Sequence, residues 1–445
     1  MRSVITATAL AVSLGSAQAA SVPIVRDAET EALIQDYAEP IFRVSGLHGP
    51  SVQIFLVPDD RFNAFVVDAS RMFINTGTIM KSETPNEVIG VLAHEAAHIA
   101  QGDLAGLRQT IANSSTAAVI GAIVGVGAAL AGQASGLQGL GQAGSGIMAG
   151  SMHAAQRNVL AYVRAQEAAA DRTAVGYLDA TGQSSLGMVA VMRRLAEQVM
   201  FSARGADPYV QSHPLPAERL ATIEALARQS PHANKTDSAD LQRRHDLVRA
   251  KLVGFTLTPQ QVGRRFPPSD TSLPARYARA IAAYRAGALE PAIKRIDELI
   301  QAQPDNPFFW ELKGQALLEN ARPAEAIGPL GQAVSLAPGS GLLRIMYGQA
   351  LVATEQADNV NIAIKNLTVG LQSTPDVPIG WRTLARAHAL SGNIPRAELA
   401  TAEGLFVQGN YKDAKIHATR AQERLKTGSP GWVRAEDIIA YTPPK

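Results

Sequence analysis

Two histidines four residues apart, with a glutamate directly after the first, stand in the stretch His94-Glu95-Ala96-Ala97-His98. On a helix, residues four apart lie one above the other on one face, so both imidazoles can reach a single metal ion. Glu95 is one step round the helix, near enough to handle an attacking water without being a ligand. The preceding run Val88-Ile89-Gly90-Val91-Leu92-Ala93 is apolar and reads as a buried helix. Chance could place such a triplet on a polar helix face. Among apolar flanks the same groups would go unsatisfied, at about 1–3 kcal/mol each, and a metal removes that cost. The layout is that of a zinc metallopeptidase.

Catalytic zinc usually has three protein ligands and one open position. The third ligand is expected from Glu167, in Arg164-Ala165-Gln166-Glu167-Ala168-Ala169-Ala170-Asp171. The alanine-rich segment from Asn158 to Leu178 reads as a helix, which puts Glu167 and Asp171 on one face. One carboxylate can bind the metal while Asp171 accepts a hydrogen bond from a ligand histidine and fixes its tautomer. The competing reading is a solvated face with an ordinary Arg164–Glu167 pair. The motif upstream favours the ligand.

His94-Glu95-x-x-His98 followed by Glu167-x-x-x-Asp171 resembles the HtpX/Ste-type zinc metallopeptidases. So do Asn63-Ala64-Phe65, the strand Met72-Phe73-Ile74-Asn75 and the later Ser212-His213-Pro214-Leu215-Pro216-Ala217-Glu218-Arg219. Arg243-Arg244-His245-Asp246, and the terminal Gly428-Ser429-Pro430-Gly431-Trp432, look more narrowly like the BepA-type members, which carry a TPR domain behind the protease domain. Two departures are Ala97, where the family commonly has glycine, and Ala100-Gln101-Gly102-Asp103, where many members have a further histidine. The resemblance implies a zincin-like metalloprotease domain acting in quality control of outer-membrane proteins. It also implies that substrate adds as a strand to a sheet edge beside the metal, gaining main-chain hydrogen bonds without side-chain readout. Ser212-His213-Pro214 reads as a loop, since a residue before proline is pushed to an extended conformation. The resemblance places that loop over the metal. His213 is then a catalytic donor to the oxyanion, or a fourth ligand and latch that holds the enzyme latent. The plain alternative is a solvated loop histidine.

The elements that must position these residues follow. Asp27 to Phe42 reads as an amphipathic helix. Three short strands are expected at Val52–Val57, Ala64–Val67 and Met72–Asn75, separated by turn residues. Residues 1–19 read as a signal peptide: Met1-Arg2, the apolar Val4–Leu14, then Ala17-Gln18-Ala19 as cleavage site. The expected destination is the periplasm. Residues 20–255 form the expected metalloprotease domain. It carries an apolar, Gly-rich insertion at 115–150, whose segment 117–131 either contacts a membrane peripherally or is a buried or mobile loop. A Pro- and Arg-rich linker is expected at 256–272.

Beyond it, at 273–445, a 34-residue period appears. Trp310, Gly314, Leu317, Ala326, Leu330, Ala333 and Pro338 stand at TPR spacings. Subtracting 34 gives Ala292, Ile296, Leu299 and Pro304; adding 34 gives Gly348 and Leu351. Three extra residues then shift the match to Ala363, Leu367 and Pro375, before Trp381, Leu384, Ala385 and Ala397 open a further unit. Such an array offers a concave binding surface. The expected fold is thus mostly α, with a small β-sheet in the metalloprotease domain and an all-α TPR solenoid after it.

The chain has 445 residues, 46% hydrophobic, with a net charge of +2 and 0 cysteines. Length allows two to three domains. No basic stripe interleaved with aromatics suggests nucleic acid, and disulfides are excluded. The sequence points to a periplasmic zinc endopeptidase with one Zn2+ per chain. Its expected partners are unfolded or misassembled outer-membrane proteins and, through the TPR domain, the outer-membrane assembly machinery. The competing class is a chaperone or adaptor of that machinery with a mainly latent protease domain.

Overall fold

A computed structural model describes residues 23–47, 52–107, 147–201, 213 and 217–443. The expected signal peptide, and the insertion as far as residue 146, lie outside the described residues.

Helix α1 (Ala28–Ser45) starts where Asp27 accepts a hydrogen bond from the Thr30 backbone at 2.8 Å and stops at Gly46, whose φ of +75° few other residues tolerate. Strands β1 (Gln53–Val57), β2 (Ala64–Asp68) and β3 (Arg71–Asn75) match the expected segments to within a residue. β3 is central, parallel to β1 and antiparallel to β2, so both β1 and β2 are edges. The sheet's second face carries the stacked rings of Phe55, Phe73 and Phe65, with neighbouring centroids 5.2 Å apart.

After α2 (Thr76–Lys81) comes the motif helix α3 (Pro85–Gln101). Thr84 caps it, Pro85 opens its first turn, and Gly102 at φ +68° ends it. α3 is enclosed by α1, by β2 and by the two helices α4 (Ile147–Ala180) and α5 (Leu186–Phe201). This enclosure explains a helix apolar on every side: all positions from Val88 to His98 are buried. Packing with α5 is so close that a Cβ on Gly90 would lie 2.9 Å from Met188 Cβ. α6 (Ala217–Gln229) packs across α4 and α5, and α7 (Ala239–Thr256) follows. Leu33, Ile41, Met72, Ile74, Leu92 and Leu178 are central to this core.

The segment expected as a linker holds a short helix, α8 (Pro259–Arg265), with a complete capping box at Thr258 and Gln261 and with Val262 buried in the first core. Five helical pairs follow: α9 (Leu273–Arg285) with α10 (Leu289–Ala302), α11 (Pro307–Glu319) with α12 (Pro323–Leu336), α13 (Gly341–Ala353) with α14 (Ala357–Ser373), α15 (Pro378–Leu390) with α16 (Ile394–Val407), and α17 (Tyr411–Gln422) with α18 (Pro430–Ala440). First helices begin 34 residues apart until the three extra residues expected from the sequence lengthen α14 to 17 residues. The small positions are explained by close approach. A Cβ on Gly314 would meet Leu330 at 2.3 Å, and one on Gly348 would meet Leu367 at 2.5 Å. The tryptophans share a role too: the Trp310 indole donates to the Pro304 carbonyl at 2.8 Å and that of Trp381 to Pro375 at 2.7 Å. Among the described residues no helix is long and apolar enough to cross a membrane.

Candidate metal centre

His94 and His98 project from one face of α3, as their spacing requires, with Nε2 atoms 3.1 Å apart. Glu167 comes from α4, which runs against α3: its carboxylate oxygens are 3.4 Å from His94 Nε2 and 3.5 Å from His98 Nε2. His213 reaches the same point from the segment before α6. Its Nδ1 lies 3.4 Å from His94 Nε2 and 3.1 Å from Glu167 Oε1. All four side chains are buried, and their donor atoms fall within 4.8 Å of one another. His213 is 7% exposed, so the solvated-loop reading does not apply.

These residues fit a metal on three counts. A tetrahedron with zinc-to-nitrogen arms of about 2.0–2.1 Å has edges of about 3.3–3.4 Å; five of the six pairs among the four side chains already stand at 3.1–3.5 Å, and the sixth, His98 to His213, lies within 4.8 Å. The outer nitrogens of both motif histidines face carboxylates. His98 Nδ1 is 2.7 Å from Asp103 Oδ2, and His94 Nδ1 is 3.0 Å from Asp171 Oδ1, slightly off the line of an ideal hydrogen bond. Protons held on Nδ1 leave two Nε2 lone pairs pointing at each other, an arrangement that a cation between them stabilises. Finally, Glu95, Asp103, Glu167 and Asp171 bring four carboxylates against one guanidinium, that of Arg219. The pull on positive charge shows at His94: burial opposes its protonation, yet Asp171 and Glu167 raise its pKa to about 10. Burial likewise opposes ionisation of Glu167, but His213 and His94 hold its carboxyl well below the usual range.

Glu95 sits on the same turn, fully buried, with both carboxylate oxygens lacking a hydrogen-bond partner among the described residues. Its Oε1 is 3.4 Å from His213 Nε2. A buried carboxylate left this way costs free energy unless something polar enters beside it. It is placed to receive a proton from a molecule bound in the cluster.

Two residues around the site were not singled out by sequence reasoning. Asp103 follows the αL turn at Gly102, five residues after His98. The Gln166 amide, turned to match its neighbours, donates to Asp103 and accepts from the Tyr162 hydroxyl at 3.0 Å. Arg219, six residues after His213, is 4% exposed. Its guanidinium bonds both Asp171 oxygens, at 2.7 and 2.9 Å, and lies 2.9 Å from Glu167 Oε2. One buried fork thus orients the two carboxylates of α4 together.

Residues 25–227 match the family model described as Peptidase family M48. The beta-barrel assembly-enhancing protease of Yersinia pestis is 26% identical over 421 residues, covering 92% of this chain and 82% of that protein. Its namesake from Escherichia coli K12 is 26% identical over 424 residues with the same coverage. The protease HtpX of Cronobacter sakazakii is 36% identical over a shorter stretch of 80 residues, 17% of this chain and 26% of that protein. Residues 25–227 are therefore similar to peptidase family M48, and the chain that carries them is a metalloprotease, a hydrolase with a metal cofactor.

Proposed function

We propose that this chain is a periplasmic zinc endopeptidase that acts on unfolded or misassembled outer-membrane β-barrel proteins. The observation that carries the chemistry is the cluster itself: His94, His98 and Glu167 around one point, with the Glu95 carboxylate, which accepts no hydrogen bond among the described residues, alongside. The client class rests on the relatives named beta-barrel assembly-enhancing protease, similar over 92% of this chain. A zinc ion held by His94, His98 and Glu167 supplies Lewis acidity toward a carbonyl and toward water. Asp103 and Asp171 hold the imidazoles in the tautomer that leaves Nε2 free, and Arg219 fixes Glu167. Glu95 takes a proton from the attacking water and passes it to the leaving amine. β2 is the edge strand packed on α3, so an extended client segment adding there would lie beside the cluster. The helical pairs dock the assembly machinery or an unfinished barrel.

His213 supports a second reading, in which the resting enzyme is latent and works chiefly as a chaperone. Its Nδ1 completes the four-cornered set at the corner that water would need. An enzyme that binds strands without sequence readout would threaten every unfolded neighbour if it were always open.

Glu95→Gln tests the main reading, because it removes the base and keeps the ligands. The purified variant should bind zinc stoichiometrically and cleave an unfolded barrel protein at least about 100-fold more slowly than wild type. It should also hold uncleaved clients for identification. Wild-type turnover by the variant, or a folded protein that takes up no zinc, would end the proposal.

A further inference from the structure

Away from the metal cluster, the beginning of α1 is fastened to the helical array by a buried group of charges. Lys251, on α7, lies 2.5 Å from Asp27, 3.4 Å from Glu29 and 3.3 Å from Glu311 on α11. The Tyr277 hydroxyl on α9 donates to Glu29 at 2.9 Å, and the Phe308 ring covers the lysine at 5.7 Å. Glu29, Lys251, Tyr277 and Glu311 are each 5% exposed or less. Between the two acids of α1, Ala28 is packed against Ala333, Val334 and Leu343 of α12 and α13. The titratable groups facing one another are therefore Asp27 at the cap of α1, Glu29 in its first turn, Lys251 from α7, Tyr277 from α9 and Glu311 from α11.

Three carboxylates meet one ammonium in this space. Fully ionised, the group carries two uncompensated negative charges out of water, which is costly wherever the two layers stay closed. Protonation of one of these acids relieves part of that cost. Burial pushes the Glu311 carboxyl up from its ordinary 4.5 to about 7, with Lys251 only partly offsetting it, and Glu29 is raised for the same reason. Asp27 goes the other way: burial opposes its ionisation, but Lys251 outweighs that and lowers it.

We propose that Asp27, Glu29, Lys251, Tyr277 and Glu311 form a proton-operated clasp that fastens α1 of the metalloprotease domain to the first helical pairs of the array. The sign follows from linkage. In the closed clasp Glu311 keeps its proton at pH values where an exposed glutamate has lost it, so closing takes up a proton between pH 4.5 and about 7. The clasp is strongest at the acid end of that window and loses strength as pH rises through it, while Asp27, lowered by Lys251, gives up its pairing only at more acidic pH. Across the window the closed-to-open ratio should fall by about two orders of magnitude. Because α1 also packs on α3, the clasp links the position of the array to the helix that carries His94 and His98. The inference stands on the charge cluster alone and does not depend on which metal or client the domain uses.

The chain has no cysteine, so spin labels go only where they are placed. Glu39→Cys on α1 and Asp305→Cys before α11, both exposed, bracket the clasp without touching it. In the labelled full chain, the distance distribution should be single at pH 5. At pH 8 it should gain a longer population while circular dichroism stays unchanged. Adding Glu311→Gln, a neutral isostere of the protonated acid, should keep most of the pH 5 distribution at pH 8. A distribution identical at both pH values overturns the proposal. So does an equal shift with and without Glu311→Gln, which would assign the opening to groups elsewhere.

Discussion

Asp103 offers the sharpest test of the metal centre, because two separate effects of its removal act in one direction. Its carboxylate accepts from His98 Nδ1 at 2.7 Å, in a site where the two side chains are 11% and 8% exposed. Replacing it by alanine frees the imidazole to rotate and to move its proton to Nε2, the atom needed for the metal. It also removes one of the four negative charges that favour a cation there. A hydrogen bond to a charged group is worth about 1.5–3 kcal/mol when buried, and loss of an outer partner of a ligand histidine typically costs about 10–100-fold in metal affinity. These agree, since 1.4 kcal/mol is about tenfold. Asp103→Ala should therefore weaken zinc binding by about 10–100-fold, and Asp103→Asn, which keeps an acceptor but not the charge, by less. Competition of each purified protein against a chromophoric chelator reads this directly. At saturating zinc, peptidase activity should return to near the wild-type rate, because Glu95 and the ligands are intact. Zinc affinity within twofold of wild type for Asp103→Ala would refute the reasoning. So would an activity loss that excess zinc leaves untouched, because Asp103 would then act on catalysis rather than on the ligand.

Two further changes separate roles that the geometry brings together. If His213 closes the cluster as a latch, His213→Ala should raise the rate on an unfolded substrate. If it serves the oxyanion instead, the rate should fall by about 10²–10³-fold, and that fall with zinc content unchanged would remove the latch. Arg219→Gln should destabilise the metal-free protein by about 3–5 kcal/mol in denaturant unfolding, the usual cost of leaving buried carboxylates without their cation; a loss under 1 kcal/mol would mean that solvent or His94 already compensates them.

Local spacing made much of this legible in the sequence. His94 and His98, and Glu167 and Asp171, are pairs four apart on helices, so each pair announces its own shared face. The repeat register was equally readable, because glycine at 314 and 348 recurs where a leucine of the paired helix leaves no room for a Cβ. Tertiary pairing was harder. Arg219 meets Asp171 across 48 residues, and no local pattern distinguishes its side chain from any surface arginine. The sheet order β1-β3-β2 was equally hidden, since three short strands in a row suggest a meander rather than a parallel β1–β3 pair. The Pro- and Arg-rich stretch expected as a linker contains a capped helix because Thr258 and Gln261 satisfy the backbone donors that composition alone does not count.

The three residues that break the 34-residue period do more than disturb a pattern. At 1.5 Å of rise each, they lengthen α14 by about 4.5 Å ahead of Leu367, which still meets Gly348, so its closing turn, Ser373 to Asp376, stays in register with the next pair. That turn is where Asp376 meets Arg26 at 2.6 Å, and it walls a cavity of about 380 Å³ whose opposite side is the outer edge of β1. Asp376, closing the third pair, thus holds Arg26, while Lys251 and Glu311 hold the next residues, Asp27 and Glu29. A load on the third helical pair would therefore reach the Arg26–Glu29 segment through two ionic contacts rather than one.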